Sequence, residues 1–220
     1  MLSRAELSGD GQKRVRKSPE ARRAEIVATA AAIALAEGLE CITLRRVAEE
    51  LAVRPGLINH YFAVAEELVA EAFGAAASAE LEELIPAGRP PDRALADLAR
   101  FLALTAGERW DAMSRLWLNA RHLSRYRPAL RDRVLYQEAR WRDRLSGVIA
   151  DGAAAGTFRV ADPMLAATEI LVVLDGLGAH ANTDRGGRPP AVADLAVMTA
   201  ERVLDLPAGT LTAPMTEDGR

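Results

Sequence analysis

Three residues, Gly56, Asn59 and His60, are spaced so that they share one face of a short predicted helix. Ile58 and Phe62, four residues apart, fall on the opposite face and are expected to point into the protein. A helix of this size fits the major groove of DNA, where outward side chains contact the edges of bases. The chemistry predicted by this spacing is hydrogen bonding to DNA.

This helix is the second of a pair predicted within residues 41–62. Thr43 is suited to cap the first helix, and Pro55 suits the first turn of the second, where its missing N–H costs nothing. The apolar face of the first helix is formed by Val47, Ala48 and Leu51. Many helical hairpins share such spacing, so the flanking sequence has to decide its interpretation.

The helices predicted on either side of the hairpin make its interpretation more specific. One is predicted from about Pro19 to Glu37, ended by Gly38, and another from Ala65 to Leu84. The pattern is a helix, Gly, Ile-Thr-Leu-Arg-Arg-Val-Ala, a turn, a short helix ending in an aromatic pair, then Glu-Glu-Leu. Over residues 20–72 this order resembles the N-terminal domain of the TetR family of bacterial repressors.

The resemblance implies DNA-binding roles. Arg45 matches a base-contacting arginine, whose fork suits guanine. Thr43 matches a family position that caps the helix close to a phosphate, and Tyr61 matches a position that contacts the DNA backbone. The recognition-helix positions that face bases are Pro55, Gly56, Leu57, Asn59 and His60. For His60, a surface histidine without a role is the alternative.

The hairpin departs from the family pattern at several positions. Ala52 stands in the turn where the family usually has Gly, and Asn59 where it usually has Tyr. Ala65 replaces a common Lys at the start of the fourth helix, and Val64 replaces a common cap. Losing that Lys removes one phosphate contact, for which Arg54 is the proposed compensation.

The charge distribution supports a nucleic-acid partner for the N-terminal part. The chain has a net charge of −3, but residues 1–62 carry ten Lys and Arg against eight Asp and Glu. A basic cluster is formed by Lys13, Arg14, Arg16, Lys17, Arg22 and Arg23. A local patch is sufficient for phosphate contact, although a solvated, disordered tail explains the same cluster.

Composition predicts an all-α protein, because strong helix formers dominate and no stretch alternates with period two. The single cysteine, Cys41, excludes an internal disulfide and is expected to be a small packed residue. No signal peptide is visible, and the apolar run 164–181 contains Glu169 and Asp175, too polar to span a bilayer comfortably. We therefore expect a cytoplasmic protein without a membrane partner.

Breaks in the sequence divide the chain into a disordered basic arm (1–17), a helix-turn-helix domain (18–63), a ligand-binding and dimerisation domain (64–205) and a flexible tail (206–220). The resemblance implies nine helices in all. In the C-terminal domain, helices are expected from Asp92 to about Ala106, Asp111 to about Ser124, Pro128 to Gly152 or Gly156, from Asp162 onwards, and 191–205.

The eighth helix is expected to be buried on more than one face. Apolar residues that cover most of its circumference are Ile170, Val172, Val173, Leu174 and Leu177. Gly176 and Gly178 would permit close approach of another helix. The resemblance implies that the last two helices pair with their twins in a homodimer, while an internal core helix is the alternative.

Aromatic residues concentrate in the C-terminal domain. Trp110, Met113 and Trp117 share a helical face, and Tyr126 and Trp141 lie nearby in sequence. Segments that resemble the C-terminal domain of choline-responsive repressors are 116–121, 141–145, 156–158 and 174–177. An aromatic cage of these residues would bind a quaternary ammonium through cation–π attraction.

Asp175 is the predicted counter-charge of that effector. Two alternatives stay open: the tryptophans are core residues, with Asp175 bonded to a neighbouring helix or its dimer mate, or the effector is another hydrophobic or aromatic molecule.

These observations predict a homodimeric repressor that binds a palindromic operator in double-stranded DNA and is released by a small-molecule effector. An enzyme is disfavoured, since no phosphate loop, metal-spaced cluster or nucleophile elbow is present and His60, His122 and His180 are far apart. We expect no catalytic residue, metal or cofactor. The alternative is a helical small-molecule-binding protein that has lost specific DNA binding, which Ala65 makes conceivable.

Overall fold

The computed structural model describes residues 17–105, 108–183 and 190–212, and these ranges contain helices and turns but no strand. The α-helices are α1 (Pro19–Glu37), α2 (Leu44–Glu50), α3 (Pro55–Tyr61), α4 (Ala65–Leu84), α5 (Ala94–Leu104), α6 (Glu108–Ser124), α7 (Pro128–Ala154), α8 (Pro163–Ala181), α9 (Pro190–Ala193) and α10 (Leu195–Val203). Because α9 is a single turn directly before α10, the two together correspond to the ninth predicted helix. The all-α prediction and the nine-helix order are confirmed.

Local capping explains why α1 has the predicted bounds. The Ser18 side chain accepts a hydrogen bond from the Ala21 amide at 3.1 Å, and Pro19 occupies the first helical position. At the other end Gly38 adopts φ 105°, a conformation that favours glycine, and its amide donates to the Ala34 carbonyl at 3.0 Å. Both signals lie next to the helix in sequence, so no distant contact is needed to set its ends.

Helix α4 joins the two halves of the molecule, since it packs against both α1 and α7. Arg23 of α1 binds Glu71 of α4 with two guanidinium nitrogens and lies 4.7 Å from the centre of the Phe62 ring. One continuous core includes the fully buried side chains of Ile58, Phe62 and Phe73. The helix-turn-helix unit is therefore fixed to α4 by apolar burial and an ion pair.

Two helix starts differ from the sequence prediction. Helix α6 begins at Glu108, three residues before Asp111, so Asp111 lies inside the helix and does not cap it. Asp92 lies in a short 3-10 helix, Pro91–Arg93, which precedes α5, and it caps nothing. By contrast, Asp162 caps α8 as expected, accepting from the amides of Met164 and Leu165.

The predicted basic arm lies outside the described residues except for Lys17. Lys17 and Arg22 both bind Glu25, and Arg23 binds Glu71. The described members of the predicted phosphate-binding cluster are thus paired with carboxylates of the same chain.

The end of the chain differs from the predicted flexible tail over residues 206–212. Leu211 is buried, and the Glu201 carboxylate accepts hydrogen bonds from the amides of Gly209 and Leu211 at 3.1 and 2.9 Å. These contacts fold the segment back onto α10. Residues 213–220 lie outside the described part.

Two further expectations concern single features. Cys41 is exposed, so the prediction that it is packed is wrong.

By length and composition α8 is apolar enough to cross a membrane, but it packs against α6, α7 and α10. Its two charges, Glu169 and Asp175, bind Arg202 and Arg121. We therefore interpret α8 as a helix of the C-terminal body.

Candidate nucleic-acid interface and ligand cavity

The helix-turn-helix unit has the caps and the buried face that its sequence predicts. Thr43 accepts a hydrogen bond from the Arg46 amide at 3.0 Å and so caps α2. Arg46 binds Glu37 at 2.6 Å and Glu50 at 2.7 Å, tying α2 to the end of α1. Val47, Ala48, Ile58 and Phe62 are buried between the helices. The unit therefore presents α3 as a rigid element on the surface.

The outward face of α3 is open. The exposed residues of this face are Arg54, Pro55, Gly56, Asn59 and His60, and the half-buried ones are Leu57 and Tyr61. A Cβ atom built on Gly56 would meet no atom within 4 Å in the part of the chain that the structure describes, so another molecule can approach the backbone closely there. The His60 and Tyr61 rings pack edge to face at 5.3 Å. The structure brings all the predicted recognition-helix residues to one accessible surface.

Arg45 lies on α2 beside this face, with 83% of its side chain exposed. Its Nε donates to Glu49 Oε1 at 2.8 Å, one helical turn away. A surface pair of this kind contributes little to stability, so it restrains the guanidinium only weakly. Arg45 is therefore available for a base or phosphate once Glu49 releases it.

The turn between α2 and α3 contains a strained residue. Ala52 has φ 51°, the left-handed conformation that a side chain with Cβ disfavours by roughly 1–2 kcal/mol. We expect Ala52→Gly to stabilise the protein by about 0.5–1 kcal/mol, the relief of strain exceeding the added entropy of the unfolded chain. Urea unfolding measures the change. Ala63→Gly, at an exposed position outside the left-handed region, is the matched control, and equal losses in both variants would contradict the interpretation.

A second feature is a cavity of about 240 Å³ in the C-terminal body, which we call the aromatic cavity. Its lining includes Trp110, Trp117 and Trp141, together with Phe101. The charged side chains that line it are Glu80, Arg121, Glu138, Arg142 and Asp175. Trp117 and Trp141 are also core residues, with 9% and 7% of their surface exposed, so these two side chains both line the cavity and belong to the core.

Glu80 of α4 is the most deeply buried acid of the aromatic cavity, with 9% of its surface exposed. Its carboxylate accepts a hydrogen bond from Trp117 Nε1 at 2.9 Å. Burial raises the pKa of Glu80 to about 7, against the opposing effect of the Trp117 hydrogen bond. Among the described residues, no cation pairs with this carboxylate.

Arg121 of α6 joins two other acids of the cavity. It donates to Glu138 of α7 at 2.9 Å and to Asp175 of α8 at 2.8 Å. Its guanidinium also lies 5.2 Å from the centre of the Trp117 ring. Partial burial raises the pKa of Asp175, and the charge of Arg121 opposes that rise. Asp175 is thus bonded to a neighbouring helix, the alternative that the sequence left open.

Two residues predicted for the ligand pocket do not line this cavity. Tyr126 is 73% exposed at the end of α6, where its ring packs against His122. Met113 packs against the core from α6, because α6 turns Trp110 and Trp117 rather than Met113 towards the space. Sequence reasoning also missed Glu80, although its spacing from Phe73 and Ala77 places it on the buried stripe of α4.

Comparison with known proteins agrees with this architecture. The family model described as BetI-type transcriptional repressor, C-terminal, matches residues 90–204, more than half of the chain. The chain belongs to the TetR family of transcriptional regulators. A comparison with curated proteins finds no match.

Solved structures share the fold of this TetR-family chain. A TetR-family regulator from Rhodococcus sp. has a TM-score of 0.70 at 22% identity, covering 83% of this chain and 98% of its own. A regulator from Pseudomonas aeruginosa PAO1 has a TM-score of 0.65 at 22% identity, covering 90% and 97%. A regulator from Saccharomonospora viridis in complex with choline has a TM-score of 0.64 at 22% identity, covering 82% and 95%.

Helix α6 connects the aromatic cavity with the helix-turn-helix domain. Asn119 Oδ1 accepts from the Leu39 amide at 2.9 Å, and its Nδ2 donates to Glu40 Oε1 at 2.8 Å. Trp117 and Arg121, two residues to either side on α6, line the cavity. Asn119 therefore ties α6 to the 3-10 helix Leu39–Cys41, which lies between α1 and α2.

The start of α4 lacks two groups that could bind a DNA phosphate or cap the helix. Val64 occupies the N-cap position but makes no side-chain capping hydrogen bond, and Ala65 provides no cation where TetR-family proteins commonly have Lys. We expect Ala65→Lys to raise duplex affinity at low salt and to steepen the slope of log K against log salt by about one unit per DNA-binding unit. Fluorescence anisotropy over a salt series measures both. Ala79→Lys, at an exposed site further along α4, controls for net charge, and an equal change there would contradict a specific contact.

Proposed function

We propose that this TetR-family protein is a cytoplasmic repressor that binds a palindromic operator as a homodimer and is released by a small-molecule effector. The observation that carries the proposal is the open face of α3, where Asn59 and His60 are exposed while Ile58 behind them is fully buried. Such a rigid, polar helix face is what direct readout of bases in the major groove requires. Two copies on a two-fold axis would place two such helices in successive grooves.

An apolar surface on α8 and α10 supports the homodimer. Leu165 and Val172 of α8 are 56% and 62% exposed, and Leu195 and Met198 of α10 are 42% and 53% exposed. Gly176 faces open space, since an added Cβ would meet no atom of the described residues within 4 Å. Burial of these stripes against a second copy would remove a large exposed apolar area from water. Gly178, by contrast, lies close to Ser114 and Trp110 of α6.

The aromatic cavity is the proposed effector site, and α6 is the proposed link to the DNA-binding domain. An effector that prefers the conformation with a different spacing of the two α3 helices would release the operator. The effector can shift the equilibrium between the two conformations only by as much as its affinities for them differ. The hydrogen bonds of Asn119 to Leu39 and Glu40, between α1 and α2, supply a direct route for that coupling.

Selection from random duplexes at physiological salt, followed by sequencing, tests the proposal. Enrichment of a palindrome by the folded dimer is the expected result. A folded dimer that enriches no sequence would instead favour a small-molecule-binding protein without specific DNA binding.

A further inference from the structure

The turn between α6 and α7 carries a dense group of arginines. Residues 121–133 contain five Arg and one Asp, although residues 63–220 as a whole carry eighteen Lys and Arg against twenty-three Asp and Glu. Arg125 is exposed, Arg127 is half-buried, and neither side chain has a carboxylate partner among the described residues. We call these two arginines, together with the exposed residues His122 and Tyr126, the arginine turn.

Local hydrogen bonds hold the backbone of the arginine turn. Arg131, in the first turn of α7, donates from Nε to the Ser124 carbonyl at 3.2 Å and from Nη2 to the Arg125 carbonyl at 3.0 Å. Carbonyls at the C-terminal end of a helix lack partners within that helix, so these bonds stabilise the end of α6. The His122 and Tyr126 rings pack edge to face at 6.1 Å. The guanidinium groups of the turn are therefore presented from a hydrogen-bonded backbone.

The arginine turn lies at the edge of the C-terminal body that meets the helix-turn-helix domain. On one side, Asn119 of α6 bonds to Leu39 and Glu40, between α1 and α2. On the other side, Ala129 of α7 and Glu67 of α4 line one groove. Glu67 is two residues into α4, about 3 Å along its axis, and only the residues 62–64 separate α4 from α3. The turn is thus close to the proposed recognition helix.

The described part of the helix-turn-helix domain offers few unpaired cations for DNA. Residues 18–63 carry five Arg and six Glu. Four of these arginines bind carboxylates, and Arg54 is the one without such a partner among the described residues. A duplex carries one negative charge per roughly 1.7 Å of its axis, and cations that replace its counterions provide much of the affinity of DNA-binding proteins. The arginine turn supplies such cations next to this domain.

We propose that the arginine turn binds the phosphate backbone of the duplex that α3 reads, as a second DNA contact outside the helix-turn-helix domain. Arg125 and Arg127 bind phosphates through their guanidinium groups, and the exposed Tyr126 hydroxyl donates to a phosphate oxygen. Phosphate contacts carry no sequence information, so they add affinity and salt dependence without changing the preference for an operator. This inference rests on the proposed DNA-binding function and adds a surface of the C-terminal body to it.

The double variant Arg125→Ala, Arg127→Ala tests the proposal in the full-length protein, with its dimeric state checked by sedimentation. Fluorescence anisotropy measures its binding to random-sequence duplexes several helical turns long over a salt series. We expect the slope of log K against log salt to become shallower by about two units for each bound subunit. Affinity near physiological salt should fall at least roughly tenfold. The ratio of affinities for the selected operator and random duplex should stay unchanged.

The double variant Arg93→Ala, Arg159→Ala is the matched control, because both arginines are exposed. Arg159 follows α7, which has 27 residues and is therefore roughly 40 Å long. Arg93 follows Arg89, which binds Asp151 near the same end of α7. The control thus removes the same charge at the end of α7 opposite the arginine turn.

The double variant Arg125→Lys, Arg127→Lys separates charge from structure. Lys binds phosphate as a point charge, so this variant should retain the salt slope of the unmodified protein. A slope that is lost equally with Ala and with Lys assigns the effect to the conformation of the turn and overturns the proposal. An equal loss in the control variant overturns it too. A slope that the Ala substitutions leave unchanged also overturns it and favours an acidic protein surface as the partner of the turn.

Operator selection with the unmodified protein is a separate measurement. A protein that enriches no palindrome, but whose salt slope becomes shallower with the Ala substitutions, loses the proposed repressor function and keeps the arginine turn as a DNA-binding surface. A protein that enriches a palindrome and whose slope does not change keeps the repressor function and loses only this surface.

Discussion

Replacing Glu80 by Gln is expected to make the protein more stable at about pH 8 and to remove part of its pH dependence. The folded-state pKa of Glu80 is about 7, above its ordinary value of 4.5. Between these values the folded protein holds a proton that the unfolded chain has lost, so the stability of the unmodified protein falls as pH rises. With 1.36 kcal/mol for each pKa unit, the loss amounts to about 3 kcal/mol by pH 8.

Gln is neutral throughout this window, and its amide oxygen can still accept the hydrogen bond from Trp117. Urea unfolding gives the free energy of unfolding of both proteins at about pH 5 and about pH 8. The effect is the change, between the two pH values, in the difference between Glu80→Gln and the unmodified protein. Glu80→Gln should be nearly neutral at the lower pH and stabilising by up to about 3 kcal/mol at the higher pH. Equal destabilisation at both values would show instead that the ionised carboxylate is stabilised within the fold.

Glu67→Gln provides the control for this comparison. Glu67 lies on the same helix, is exposed and does not line the cavity. Its replacement changes the net charge in the same way without removing one of the charges that act on Glu80. A pH-dependent difference of similar size in this variant would assign the effect to net charge rather than to burial.

Local signals explain why much of the fold follows from the sequence. The ends of α1 depend on Ser18, Pro19 and Gly38, which all lie within or next to the helix. The buried faces of α2 and α3 follow from the spacing of Val47, Ile58 and Phe62, so the residues of α3 that face outward could be predicted from the sequence. In each case the residues whose interactions determine the local structure lie only a few positions apart in the sequence.

The aromatic cavity could be predicted only in part, because its charges come from different helices. Glu80, Arg121, Glu138 and Asp175 lie on α4, α6, α7 and α8, and their meeting depends on the rotation of each helix about its axis. Periodicity shows which face of a helix is apolar but not which neighbour an individual polar side chain meets. The Arg121–Asp175 bond spans 54 positions, so spacing in the sequence could not show that Arg121 is the partner of Asp175.

Replacing Arg45 by Ala is expected to cause the largest loss of operator affinity among single substitutions on this surface. A bidentate contact to guanine contributes about 1–3 kcal/mol of discrimination, and a homodimer would lose two such contacts. The affinity of the selected operator should therefore fall by roughly 30-fold or more. Random duplex, in which Arg45 meets no particular base, should lose much less. Anisotropy titration of both DNAs at fixed salt measures the difference.

Arg45→Lys separates readout of a base from simple charge. Lys keeps the positive charge but lacks the planar fork, so it should retain the salt slope and lose most of the preference for the operator. Arg115→Ala, at an exposed arginine of α6 outside the helix-turn-helix domain, controls for net charge. If Arg45→Ala weakens operator and random duplex equally, with a shallower salt slope, Arg45 contacts a phosphate. Sequence readout would then have to come from α3, where Asn59→Ala is the next substitution to test.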